Sequence, residues 1–456
     1  MTESRPVGFL LDVMHAHHDR TMMMFQGAPI TYGTLAEAVT RHIEELPRQG
    51  VAGGAVVALN ADYSPQAVAV LLALIANTNI VVPLARPKPG VMEERLRIAE
   101  AEVLIDIDEQ ETVAVKSLGR RGDHPNYALL RQRQAPGLVL FTSGTSGEPK
   151  AAVHDFSRLL EKFKRRRGSL RTINFLMFDH WGGLNTLFHT ISNAALVLPV
   201  PDRSPESVCA TIEKYQVELL PASPTFLNLL LVTEAYLRYD LSSLRLITYG
   251  TEPMPETTLQ RLVSLFPRTR FQQTYGLIEL GVLQSTSRAN DSLWVRVGGE
   301  GFETRVVGGL LQIKAYSAML GYLNAPSPFT PDGWFVTGDE VEEDGEFIRI
   351  LGRKSELINV GGEKVYPAEV ENVIQGIDDV AEVLVFGERN PLVGNIVCAR
   401  VRPRSQAVDA GELPGRIKRY CAERLERYKV PLKIELVTEP QFSERFKKRR
   451  AGTLSA

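Results

Sequence analysis

The sequence predicts an α/β fold with largely parallel sheets buried on both faces, followed by shorter-stranded units towards the C-terminus. Three observations predict it. Short runs rich in Val, Ile and Leu recur, as in VVALN, IVVPL, EVLID, LVLFT, INFLMF, ALVLPV and LRLITYG, and each reads as a buried strand. Between them lie segments such as SPESVCATIEKYQ and PETTLQRLVSLF, with a capping Ser or Pro start and apolar residues at helical spacing. From about Trp294 the runs shorten to RVVG, LLQIKA and FIRILG and are broken by Gly and Pro, the pattern of an antiparallel or barrel-like region.

The first clear helix-to-strand unit lies in the uncharged stretch from Tyr63 to Ala85. Its length raises a transmembrane reading, but Pro65, Gln66, Asn77, Thr78, Asn79 and Pro83 would be costly in lipid. SPQAVAVLLALIAN therefore reads as a buried helix and NIVVPL as the strand after it. Beyond Gly352 comes a last unit of about a hundred residues, a common domain size. There EVLVFGE and GNIVCARVRPR read as strands and GRIKRYCAERL as a helix.

Composition narrows the function classes. With 52 Lys and Arg against 54 Asp and Glu in 456 residues, the net charge is −2, so a general nucleic-acid binder is not expected. Cys209, Cys398 and Cys421 are odd in number and far apart, which indicates neither a disulfide framework nor a zinc cluster. The N-terminal segment lacks the pattern of a signal peptide, and a reducing cytoplasmic setting without membrane spans is expected. The basic run from Lys162 to Arg167 reads as a solvated face.

The most informative segment is LVLFTSGTSGEPKAAVH, residues 138–154. A buried strand ends at Thr142 and leads into Ser143, Gly144, Thr145, Ser146 and Gly147, then Pro149 and Lys150. The glycines let backbone N–H groups approach an anion, the hydroxyls add donors, and Lys150 adds a full positive charge. This chemistry suits a polyphosphate. It is not the G-x-x-x-x-G-K-[ST] loop, because Glu148-Pro149 precede the lysine.

On these residues the sequence resembles the adenylate-forming superfamily of acyl- and aryl-CoA synthetases, carrier-protein-loading adenylation domains and luciferases. FTSGTSGEPK resembles its phosphate loop and QTYGLIELG, at 273–281, its Tyr-Gly-x-Thr-Glu motif. MLGYLN, GWFVTGDE and LGRKSELINVGGEKVYPAEVE match later signatures in the same order. The resemblance implies a large N-terminal body of two α/β sheet subdomains plus a β-barrel-like subdomain, then a small mobile α+β lid. The expected division is 1–352 for the body and 353–456 for the lid.

The resemblance also implies roles. Glu279 would hold Mg2+ against the phosphates of ATP, a task for a hard carboxylate oxygen. Tyr275 with Gly276 would lie against adenine, and Gly250 and Thr251 would border the nucleotide and acid. Asp339 would accept from both ribose hydroxyls, Arg353 would reach the same sugar, and Lys354 would be the hinge. Gly361 and Gly362 would line the thiol's path after the lid rotates. The family ends in Thr-x-x-Gly-Lys-x-x-Arg, and SerGluArgPheLysLysArgArg at 443–450 fits that spacing. Lys447 then takes the position of the catalytic lysine and Arg450 that of the arginine, with Lys448 one residue away as the alternative register. Phe446 replaces the family's Gly, and Ile278 replaces its Thr, which removes one phosphate donor.

His180-Trp181-Gly182-Gly183 resembles the His-x-x-Gly of acyl-CoA synthetases, so His180 is a catalytic candidate. Asp179 falls near the aspartate that amino-acid-activating domains use for a substrate amine, though it could equally cap the following turn. Ser223 and Tyr249, with Trp181, are the other pocket candidates. The expected chemistry is activation of a carboxylic acid by Mg·ATP, with pyrophosphate release, then transfer to CoA or the phosphopantetheine of an acyl or peptidyl carrier protein. A non-thiol acceptor, and a catalytically impaired nucleotide-binding protein, are the alternatives. The resemblance leaves monomer and homodimer both open.

Overall fold

The predicted buried helix is the pivot of the architecture. Helix Pro65–Ala76 opens on Ser64, whose side chain accepts the Ala67 N–H, with Pro65 in the first turn. Nearly all its residues are buried, on every face, as expected of a helix enclosed by protein. A charged residue at Leu71 or Leu74 would be unpaired there and cost several kcal/mol. The computed structural model describes residues 6–142, 149–405, 408–443 and 445–449.

Strand Val56–Asn60 pairs in parallel with Ile80–Leu84 and Val103–Ile107, and Ile80–Leu84 pairs with Gly137–Thr142. That sheet closes antiparallel, Gly137–Thr142 against Lys150–Asp155, so Thr142 and Lys150 face each other across the phosphate segment. A second seven-stranded sheet runs Arg270–Gln273, Leu246–Tyr249, Leu219–Ala222, Thr172–Asn174, Val197–Pro199, Thr21–Phe25 and Ala28–Thr31, and only the last pair is antiparallel. The third sheet has six antiparallel strands, from Gln284–Ser287 at one end of its path to Phe302–Val307 at the other.

The C-terminal sheet has five strands, built on the long hairpin Val380–Asn390 and Gly394–Pro403. Helices Pro367–Gln375 and Leu413–Ala422 share its own apolar core of Val365, Val370, Ile374, Val383, Val401 and Ile417.

Several elements differ from the sequence reading. INFLMF supplies only the short strand Thr172–Asn174, after which the chain turns so that Met177–His180 reach the cleft. Helix Trp181–Ser192 follows, although Gly182 and Gly183 argue against one. A Cβ on Gly183 would lie 2.3 Å from the Met177 carbonyl and 2.4 Å from the Tyr63 hydroxyl, so the packing admits no side chain there. Among the described residues no helix is long and apolar enough to cross a membrane, and Cys209, Cys398 and Cys421 are buried free thiols.

Candidate active site

The phosphate-loop residues Ser143, Gly144, Thr145, Ser146 and Gly147, and Arg450, lie outside the described residues. The strands on either side fix where that segment begins and ends, at Thr142 and Pro149. Lys150 begins the return strand, and its ammonium lies 5.7 Å from the centre of the Tyr322 ring. The Tyr322 hydroxyl donates to Glu279 Oε1 at 2.6 Å. The three motifs that supply Lys150, Tyr322 and Glu279 therefore converge.

Beside them lies a second polar group. Tyr275 is buried, and its hydroxyl donates to Asp339 Oδ2 at 2.6 Å. Arg353 Nε lies 3.2 Å from Asp339 Oδ1. Burial raises the Asp339 carboxyl, while Arg353 and the Tyr275 hydroxyl oppose that rise. Each oxygen of Asp339 already has one partner and keeps a lone pair for another donor. Ile278, one residue before Glu279, is half-buried and packs between two apolar clusters.

Backbone geometry around Gly250 is tight. A Cβ there would meet the Thr274 carbonyl oxygen and hydroxyl at 2.6 Å. Thr251 follows with φ +76°, a left-handed value that is strained for a β-branched residue. Tyr249 is buried in the core of the second sheet. Gly276 lies in a two-residue strand against Gly281–Val282, and a Cβ on it would meet the Gly281 carbonyl at 2.9 Å.

The C-terminal tail reaches into this cleft as a tight hairpin. Ser443 N–H donates to the Lys447 carbonyl, Phe446 N–H to Ser443, and Phe442 bridges Lys448. Phe446 sits at its tip with φ +50°. The left-handed region suits the Gly that the resemblance implied at this position and is unfavourable for a residue with a Cβ. The ring is held among Phe175, Phe226 and Phe442, with centroids 5.4–5.5 Å away.

Lys447 and Lys448 have different fates. Lys448 Nζ turns back to the buried Glu371 of helix Pro367–Gln375 at 2.7 Å. Lys447 lines a cleft of about 310 Å3 with Met177, His180, Arg203, Arg445 and Phe446. Burial pushes its ammonium down to about 8; Glu252 resists this, and Arg445 and Arg353 add to it. Glu252 carries no motif and went unnoticed in the sequence. Its side chain accepts the Thr225 N–H at 2.9 Å and the Lys448 N–H at 3.4 Å.

The catalytic candidate His180 and three of the pocket candidates are engaged within the protein. His180 caps helix Trp181–Ser192, its Nδ1 accepting the Gly182 N–H at 3.0 Å. Burial, then Lys447 and Arg445, hold this imidazole well below its usual range, so it is neutral near pH 7. Asp179 Oδ2 accepts from Arg95 at 3.1 Å and from Arg445 at 2.5 Å. Ser223 Oγ accepts the Phe226 N–H and donates to the Phe446 carbonyl at 2.7 Å. Trp181 is buried edge-on against Phe156. Lys354 begins an exposed turn directly after strand Phe347–Arg353.

A model of the AMP-binding enzyme family matches residues 11–307, and one of the AMP-binding enzyme C-terminal domain matches residues 369–447. The chain belongs to the AMP-binding enzyme family. The second match ends at Lys447, in the tail hairpin. Among curated relatives, the chain is 28% identical to an indoleacetate–CoA ligase of Aromatoleum aromaticum, over 92% of each chain. It is 27% identical to a 2-succinylbenzoate–CoA ligase of Bacillus cereus, over 96% of each. In fold it matches the crystal structure of the anthranilate CoA ligase AuaEII in complex with anthranoyl-AMP. That match has a TM-score of 0.84 at 20% identity, covering 97% of this chain and 95% of that one.

Proposed function

We propose that this member of the family is an AMP-forming acid–thiol ligase. It activates a small carboxylic acid as its acyl-adenylate and then passes the acyl group to CoA. The observation that carries the reading is the convergence of Lys150, Glu279, Tyr275, Asp339, Arg353 and Lys447 on one cleft from five separate segments. The CoA-ligase relatives that align over nine-tenths of the chain support the same conclusion.

Each residue has a task in this reading. Tyr275 lies against adenine with its hydroxyl anchored on Asp339, and Asp339 and Arg353 hold the ribose. Lys150 and the 143–147 segment bind the β- and γ-phosphates. Glu279 would hold Mg2+: Tyr322 occupies only Oε1, and one carboxylate with phosphates and water is an ordinary magnesium environment. When bound, that ion neutralises phosphate charge.

An oxygen of the substrate carboxylate attacks the α-phosphorus, and the bond to the bridging oxygen of pyrophosphate breaks. The Lys447 ammonium stabilises the charge that moves between carboxylate and phosphate. In the second step the thiol sulfur bonds to the acyl carbon, its proton is lost, and AMP departs. Rotation of the lid, residues 353–456, about Lys354 would carry Lys447 away and bring Gly361 and Gly362 to the thiol path. Both glycines have positive φ, and both are exposed between two short strands.

Asp179 is already shared by two arginines, which favours an acid without an α-ammonium group. A carrier-protein arm in place of CoA, and a cytoplasmic location, are finer readings of the same scheme. A panel of aryl, aliphatic and amino acids in a pyrophosphate-release assay, with and without CoA, tests it. Acid-dependent release with thioester formation is expected. No release with any acid, despite ATP binding, would overturn it.

A further inference from the structure

Arg445 belongs to none of the residues given a catalytic role, yet it makes the shortest charged contact in the cleft. Its guanidinium reaches Asp179 Oδ2 at 2.5 Å, and Asp179 is 5% exposed. Arg95 donates to the same oxygen at 3.1 Å, so the receptor is built within the body before the tail arrives. The groups facing this carboxylate are therefore Arg95 and Arg445, with His180 and Lys447 lining the adjoining cleft. One residue further along the tail, Phe446 packs its ring against the touching pair Phe175 and Phe226, and its carbonyl accepts from Ser223. Lys447 follows directly.

We infer that Asp179 is the body's receptor for the tail and that Arg445 and Phe446 together set the position of Lys447 for the adenylation step. This rests on the function proposed above. Arg445, Phe446 and Asp179 are positioning residues: none needs to touch the reacting atoms.

The physical argument is one of registration. Lys447 sits on a hairpin near the end of the proposed lid, and an unguided ammonium would spread over many positions. A buried charged contact on one side of the tip and an aromatic socket on the other leave the intervening backbone little freedom. The left-handed backbone at Phe446 is unfavourable for a residue with a Cβ, and packing the ring into its socket offsets that cost. The balance favours Phe only while the ring is in its socket. The family's glycine would carry neither the strain nor the socket, so this chain replaces a permissive tip with a keyed one.

The contacts all cross between body and tail, so they exist only with the lid in this orientation. Removing them should impair adenylation and spare acyl transfer. The test uses the full chain with Arg445→Met, Asp179→Asn and Phe446→Gly. Hydrogen–deuterium exchange of peptides spanning 441–449 needs no substrate. Exchange in the tail should rise at least tenfold in Arg445→Met and equally in Asp179→Asn.

With an acid from the panel, kcat for pyrophosphate exchange should fall about tenfold or more, with little change in KM for ATP. Thioester formation from pre-made acyl-adenylate and CoA should stay within about threefold. Arg445→Lys should recover part of the exchange rate. Equal loss in both half-reactions, or a tail unaffected by Asp179→Asn, would overturn the inference. Should the wild type activate no acid, the function proposed above fails, and the latch is judged by tail exchange alone.

Discussion

The nucleotide side of the cleft and the acid-activating side are built differently. On the nucleotide side, Tyr275, Asp339, Glu279 and Tyr322 hydrogen-bond to one another within the body. These two pairs need no residue of the proposed lid, although Arg353, its first residue, also meets Asp339. On the other side, Lys447 is held by contacts that span two parts of the molecule: Arg445 to Asp179, Ser223 to Phe446, and Lys448 N–H to Glu252. In the proposed scheme binding is preorganised, whereas the charge of Lys447 is delivered. Such a division lets one cleft serve two reactions in turn.

The sharpest way to break this comparison is Lys447→Ala. Pyrophosphate exchange should fall about 10²–10³-fold, the usual cost of losing one donor to developing charge, with ATP binding nearly unchanged. If Lys448→Ala is the inactive variant instead, the two lysines have been exchanged in this scheme. On the preorganised side, Asp339→Asn should raise KM for ATP about tenfold, because one ribose acceptor becomes a donor. Isothermal titration with a non-hydrolysable ATP analogue would check that.

Ile278→Thr should speed adenylation up to about tenfold by restoring a donor to a charged phosphate, read as kcat in the exchange assay. Lys448→Met should leave exchange chemistry largely intact and lower lid stability by about 2 kcal/mol, seen as an earlier melting transition. Glu371 keeps its Val385 N–H partner and loses the Lys448 ammonium.

The smallest effect is on pH. Burial lowers Lys447 to about 8, so below that value it carries its proton and above it does not. Exchange activity of the free enzyme should therefore decline as pH rises through about 8. Glu252→Gln, by removing the one carboxylate that supports the charge, should move the decline to lower pH.

Much of this was legible in the sequence because the nucleotide side is written in contiguous motifs. QTYGLIELG, MLGYLN and GWFVTGDE each carry their residues at fixed spacing, and the fold brings those residues together. Periodicity likewise exposed the strands and the buried helix Pro65–Ala76. Helix Trp181–Ser192 stayed hidden, since Gly182 and Gly183 break helices elsewhere, but here Gly183 is required by the close Tyr63 and Met177 contacts and Gly182 lies tight against Leu176 and His180. Glu252, Arg95 and Arg445 were invisible for another reason. Their meaning is a meeting of distant segments, and no local pattern records it. The choice between Lys447 and Lys448 was of this kind too: it turns on Glu371, 77 residues away, capturing one of them.

The phenyl ring at Phe446 also has a calorimetric consequence. Turning the lid would move that ring from an aromatic socket into water, together with the faces of Phe175 and Phe226 that it covers. Apolar exposure raises heat capacity. The opening step would then be more enthalpic in warm solution and more entropic in cold. A temperature series on acyl transfer should bend in an Eyring plot, and Phe446→Gly should straighten it.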